Sequence, residues 1–113
     1  MNKAPEMSAE DKLKLGEDEL KVLKDIWLRW LKSDFDWAVN YTLQYGRNNE
    51  EDEWDFLRRE WIGKYDEWLY PYIYRLYRTE HITQEQKDDF SAWADNEMMI
   101  KLEALYSLEV THE

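Results

Sequence analysis

Apolar residues recur along this chain at helical intervals. Between Asp18 and Tyr45, the residues Leu20, Leu23, Trp27, Leu31, Phe35, Ala38, Thr42 and Tyr45 follow one another at steps of three or four, which lines them along one side of a helix. The stripe keeps its phase through "KSDFD" at 32–36, where Ser33 stands as an N-cap with Asp36 three residues on. A true break resets the phase, so the spacing predicts one continuous helix over 18–45, roughly 40 Å long at about 1.5 Å per residue. Gly46 then stands where a C-terminal cap belongs, and "GRNN" reads as a short turn. Upstream, Ser8 with Asp11 resembles a weak capping box, which predicts a short separate helix ending near Gly16.

A second stripe runs through Trp54, Leu57, Trp61, Tyr65, Trp68, Tyr72 and Leu76, with Ile62, Leu69 and Ile73 widening it on one side. It predicts a helix over 50–79, opened by "EEDE" at the positive end of the helix dipole and kinked at Pro71, because proline removes a backbone bond and crowds the preceding turn. A third helix, 84–107, opens at Thr83 with Gln86 completing a capping box and runs through Phe90, Ala94, Met98, Leu102 and Leu105. Strand-like alternation is essentially missing. The expected fold is therefore all-α: an antiparallel bundle of three long helices preceded by a short N-terminal one, with a four-helix bundle split near Ser33 as the alternative. Residues 1–8 read as a mobile leader, 9–108 as a single helical domain and 109–113 as a frayed tail.

"WLKSDFDWAVNY" at 30–41 and "WIGKYDEWLYPY" at 61–72 echo one another, sharing Trp, an aliphatic residue, an acid before a second Trp, and Tyr four residues later. In an antiparallel pair turning near residue 47, Trp37 falls near Arg58 and Trp30 near Tyr65. Two similar core ridges that meet are the expected cause of the echo, with an internal duplication as the alternative.

Composition sharpens this picture. The chain has 113 residues, enough for one domain with its own core. With 26 acidic and 15 basic residues, its net charge is −11. Such a field repels phosphate backbones and anionic membrane, so no direct nucleic-acid binding and no membrane association are expected. Seven Trp, eight Tyr and three Phe set it apart from disordered acidic chains, which are poor in aromatics. Without cysteine, thiol catalysis, thiolate metal sites and disulfides are excluded. No apolar run reaches the length of a signal-peptide core or a membrane span, and the reading is of a soluble, cytoplasmic protein.

Candidate chemistry is sparse. The histidines are His81 and His112; only "EVTH" at 109–112 has the Glu-x-x-His spacing of carboxylate-bridged metal bundles, and it lies in the tail. Ser8, Ser33, Ser91 and Ser107 have no histidine near them in sequence, and no phosphate-cradling glycine motif occurs. "LYR" at 76–78 matches the tripeptide of a family of small helical adaptors, but there it opens the first helix; here it closes a middle one and carries no resemblance. No catalytic residue, cofactor or metal is expected, and the protein is read as a non-enzyme.

One feature asks for a binding role. In "EWLYPYIYRLYRTEH" at 67–81, Tyr70, Tyr74 and Tyr77 repeat on the side away from the core stripe. Phe56, Arg59 and Gly63 extend that rear face towards the helix start, and Arg78 flanks its end. Tyrosine and arginine dominate interface hot spots, since they supply rigid contact area with a polar tip. The expected function is a small acidic protein-binding module, an adaptor, inhibitor or regulatory subunit, with another protein or a second copy of the chain as its partner. The alternative is an acidic nucleic-acid mimic that inhibits a DNA- or RNA-handling enzyme in the manner of anti-restriction and anti-defence proteins. Arg58, Arg59 and Lys64 interrupt the carboxylates such a mimic needs.

Overall fold

The computed structural model describes residues 7–46 and 54–108. Every element among them is helical: α1 (Ala9–Tyr45), α2 (Asp55–Lys64), a π-helical turn (Tyr65–Leu69), α3 (Tyr70–Arg78) and α4 (Gln84–Tyr106). Most of the expected leader, the "GRNN" turn beyond Gly46, the expected helix start near residue 50 and the expected tail at 109–113 lie outside the described residues.

α1 begins where the Ser8 hydroxyl accepts a hydrogen bond from the Asp11 amide at 3.1 Å, with Glu10 and Asp11 in the first turn complementing the helix dipole. It then runs for 37 residues, about 55 Å at 1.5 Å per residue. No separate short helix forms. Gly16 is buried inside α1, against the carbonyl of His81 and the side chain of Ile82, so it serves a close approach and not a stop. Nor does the chain split near Ser33: the helix passes through, and the Lys32–Asp36 pair at 2.7 Å spans the site. The end comes at Gly46, whose φ of 78° suits glycine and whose amide reaches the Thr42 carbonyl at 2.8 Å.

The second rod is continuous from Asp55 to Arg78 but not uniform. The disturbance expected at Pro71 falls one turn earlier, in Tyr65–Leu69, where the backbone widens and the Tyr70 amide bonds the Tyr65 carbonyl five residues back. Widening removes the clash between the proline ring and the turn before it, and Pro71 then sits at the start of α3, where its missing amide costs least. A π turn holds about one residue more than an α turn, which rotates everything after it by about 100°. Consequently Leu69, Ile73 and Leu76 enter the core. Trp68 and Tyr72, placed in the core stripe by strict α periodicity, are 65% and 43% exposed.

Contacts along the rods set their directions. α1 meets the second rod at Trp37 with Phe56, Asp34 with Trp61, Trp27 with Tyr65 and Glu19 with Tyr72, so the two run oppositely. α1 meets the α3–α4 connection at Gly16 with Ile82, and α4 at Lys24 with Trp93 and Phe35 with Lys101, so α1 and α4 run the same way. Trp27 is the hinge of all three: its indole N–H donates to the Ala94 carbonyl at 3.0 Å while its ring packs edge-on against Tyr65 at 5.5 Å. Trp37 meets Phe56, two residues from Arg58, and Trp30 and Tyr65 each pack on Trp27. The later shared positions, Trp37 with Trp68 and Tyr41 with Tyr72, are exposed, so the echo is not a pair of core ridges.

The connection from α3 to α4 is tight. The His81 amide bonds the Leu76 carbonyl at 2.9 Å, Glu80 takes a positive φ of 64°, and the Thr83–Gln86 capping box opens α4 as expected. Among the described residues no helix is long and apolar enough to cross a membrane.

Two glycines make opposite predictions. A Cβ at Gly16 overlaps the His81 carbonyl, so Gly16→Ala is expected to lower stability by about 1–3 kcal/mol or more. At Gly63 a Cβ meets nothing within 4 Å, so Gly63→Ala is expected to raise stability by roughly 0.5–1 kcal/mol through helix propensity. Urea denaturation of both variants checks the pair of signs.

Candidate functional site

The expected rear face is not one surface. Phe56 turns to α1, packing edge-on against Trp37 at 6.3 Å and near Trp54 at 6.4 Å. Arg59 is exposed, its Nε donating to the Asp55 carbonyl at 3.4 Å, and Gly63 is open to solvent. Beyond the π turn, Tyr70, Tyr74 and Tyr77 lie instead on the flank nearest α4: Lys87 of α4 sits 5.5 Å from the Tyr77 ring. The expected face is thus divided: Phe56 packs towards α1, Arg59 and Gly63 are exposed, and the tyrosines form a group beside α4.

The α4-side group is ordered. Tyr70 stacks on Tyr74 with centroids 6.1 Å apart and planes at 27°, and Tyr74 leans on Tyr77 at 6.3 Å. Tyr70 and Tyr74 are exposed, whereas Tyr77 is half-buried against the core. Arg78 is exposed beside Tyr77, and both border a depression shared with Leu13 and Ile82. On Lys87, the Asp88 carboxylate at 3.2 Å holds the ammonium above its ordinary pKa.

A second aromatic ladder was not anticipated. Trp37 stacks on Tyr41 at 5.4 Å, and Tyr41 leans on Tyr45 at 4.9 Å. Tyr45 belongs to this ladder, 67% exposed, and not to the core stripe in which periodicity placed it. The signal was present in "WAVNYTLQY": three aromatics four residues apart form a line of their own beside the buried Ala38 and Thr42.

A third feature is a cleft of about 250 Å³ between α1, the π turn and α4. Its walls are Trp27, Ile62, Ala94 and Met98, with the Tyr65 hydroxyl bonded to Ser91 Oγ at 2.8 Å. Burial pushes the Tyr65 phenol above its usual pKa, partly offset by the bond to Ser91. Tyr72 is also raised, chiefly by the hydrogen bond it donates to the Glu19 carboxylate at 3.0 Å.

His81 is engaged with Thr79 Oγ1 at 2.7 Å in the α3–α4 connection; His112 lies outside the described residues. Among the described residues no group of three or more His, Asp or Glu side chains is placed to hold a metal ion. Ion pairs punctuate the acidic surface: Arg29 with Asp25 at 2.9 Å, Lys32 with Asp36 at 2.7 Å, and Lys64 with Asp34 at 3.3 Å. No family model, no curated protein and no solved structure matches this chain.

The Tyr65 environment fixes an alkaline response. Its folded pKa is raised, so its contribution is fully present below about pH 10, the unfolded value, and is lost as pH climbs through the folded one. Tyr65→Phe removes both this dependence and the Ser91 bond, at a cost of about 1 kcal/mol near neutral pH. Thermal melts of wild type and Tyr65→Phe, followed by circular dichroism, are expected to converge as pH passes about 10.

Proposed function

We propose that this protein is a small acidic, non-enzymatic binding module, an adaptor, inhibitor or regulatory subunit, whose helices act as an antiparallel three-rod bundle presenting Tyr70, Tyr74 and Tyr77 to another protein. The observation that carries this reading is the stacking of Tyr70 on Tyr74 and of Tyr74 on Tyr77, with Tyr77 packed into the core below. Side chains already held against one another lose little freedom when a partner covers them, so more of the contact energy appears as affinity. Arg78 and Lys87 place positive charge beside the ladder on a chain whose net charge is −11. That combination suits an apolar partner segment carrying acidic residues. Phe56, Arg59 and Gly63 lie before the π turn and are not part of this contact.

The test uses a Tyr70→Ser/Tyr74→Ser double variant, because Tyr77 also supports the core. Circular dichroism is expected to show an intact helical fold. A partner captured by wild type from lysate at low and high salt is expected to be lost by the variant at both. If capture is untouched by the variant and abolished by salt, the acidic surface is the active part and the nucleic-acid mimic replaces this reading. If only the chain itself is recovered, sedimentation of wild type against variant decides whether the ladder is a homodimer seam.

A further inference from the structure

The cleft beside Tyr65 has the lining of a ligand site. We propose that it binds a small organic ammonium ion with an apolar, ring-sized body, held between the aromatic walls and the carboxylates of Asp66 and Asp95. None of Tyr70, Tyr74 and Tyr77 lines this cleft.

Three observations converge on it. The walls are apolar and fixed: Trp27 is locked by its bond to the Ala94 carbonyl, and Tyr65 is held by Ser91, by the edge of Trp27 and by stacking on Phe90 at 6.4 Å. Pre-formed apolar walls with a few placed polar groups are what small-molecule sites have in common. The second observation is charge. Asp66 and Asp95 are exposed and border the cleft, and neither forms an ion pair with a described residue, unlike Asp25, Asp34 and Asp36 on the same surface. Arg58 and Arg59 gather with Asp55 around a neighbouring depression that shares Ile62, and Lys87, the cation that acts on the Tyr65 phenol, is paired with Asp88. An ammonium at this mouth thus meets two carboxylates beside the rings of Trp27 and Tyr65, both attractive to a cation.

The third is local backbone. Tyr65 and Asp66, one wall residue and one rim carboxylate, come from the π turn, and such single-turn widenings recur at functional sites. Here the widening sets these neighbours side by side on the cleft while Leu69 passes into the core. A volume of about 250 Å³ accommodates a molecule on the order of ten non-hydrogen atoms.

Phenethylammonium chloride is the probe and 2-phenylethanol its neutral counterpart. The readout is the methyl resonance of Met98 in a methionine-labelled sample, assigned by its loss in Met98→Leu. Saturable shifts with phenethylammonium are expected, weakened at least tenfold in Asp66→Asn/Asp95→Asn and for the neutral alcohol on wild type. Ile62→Trp, a change at a half-open position at the mouth, is expected to abolish the shift in a protein whose circular dichroism is unchanged. No saturation with phenethylammonium overturns the proposal, as does equal binding of the alcohol, or binding that survives both variants.

Discussion

A single missing donor shapes much of this molecule. Pro71 has no amide to give to the turn before it, and its ring cannot sit against an α-helical carbonyl four residues back. The chain answers by widening Tyr65–Leu69 into a π turn, and that turn shifts the rotational phase of everything downstream. Leu69, Ile73 and Leu76 become core, Trp68 and Tyr72 become surface, and Tyr77, with Tyr74 and Tyr70 stacked along it, comes to lie beside Lys87 of α4. The cleft wall made by Tyr65 and the rim made by Asp66 come from the same adjustment. Local covalent chemistry at one residue thereby selects which aromatics are structural and which are presented.

Around this adjustment the core is mostly leucine and isoleucine, and tryptophans are its largest fully buried side chains. Trp27, Trp54 and Trp61 are fully buried. Two of them meet the demand that a buried indole N–H be paired: Trp27 on the Ala94 carbonyl, and Trp61 on the Asp34 carboxylate at 2.8 Å. The second bond also involves Lys64, which reaches the same oxygen at 3.3 Å. Each bond joins two rods with a direction as well as an attraction, which leucine contacts cannot do. Aromatic geometry thus fixes the rods where a short core alone leaves them free to shift.

Elements whose cause lies within a few residues were legible in the chain. Ser8 with Asp11, Gly46 after Tyr45, and Thr83 with Gln86 mark helix ends through hydrogen bonds of short sequence span, and each is found. The continuity of α1 through Ser33 followed from unbroken phase. What escaped was non-local. Gly16 read as a stop because its partner, the His81 carbonyl, is far along the chain. Trp68 and Tyr72 read as core because 3.6 residues per turn was assumed through a proline that imposes another value locally. The tyrosines were identifiable as a group, but their flank, and their separation from Phe56 and Arg59, depended on that same turn. The ladder of Trp37, Tyr41 and Tyr45 was visible as spacing, and was passed over because one member also fitted the buried stripe.

The contact at Gly16 carries a further meaning. Ridged helices of similar shape can settle against one another in neighbouring alignments that differ by one turn, about 5.4 Å of sliding. In α1 the residues one turn away from Gly16 are Lys12 and Leu20, each with a side chain where the His81 carbonyl needs empty space. Only the observed alignment places the hydrogen atom of a glycine there. The residue with no side chain is therefore the vernier of the assembly: it rejects a one-turn slip of α1 along the α3–α4 connection.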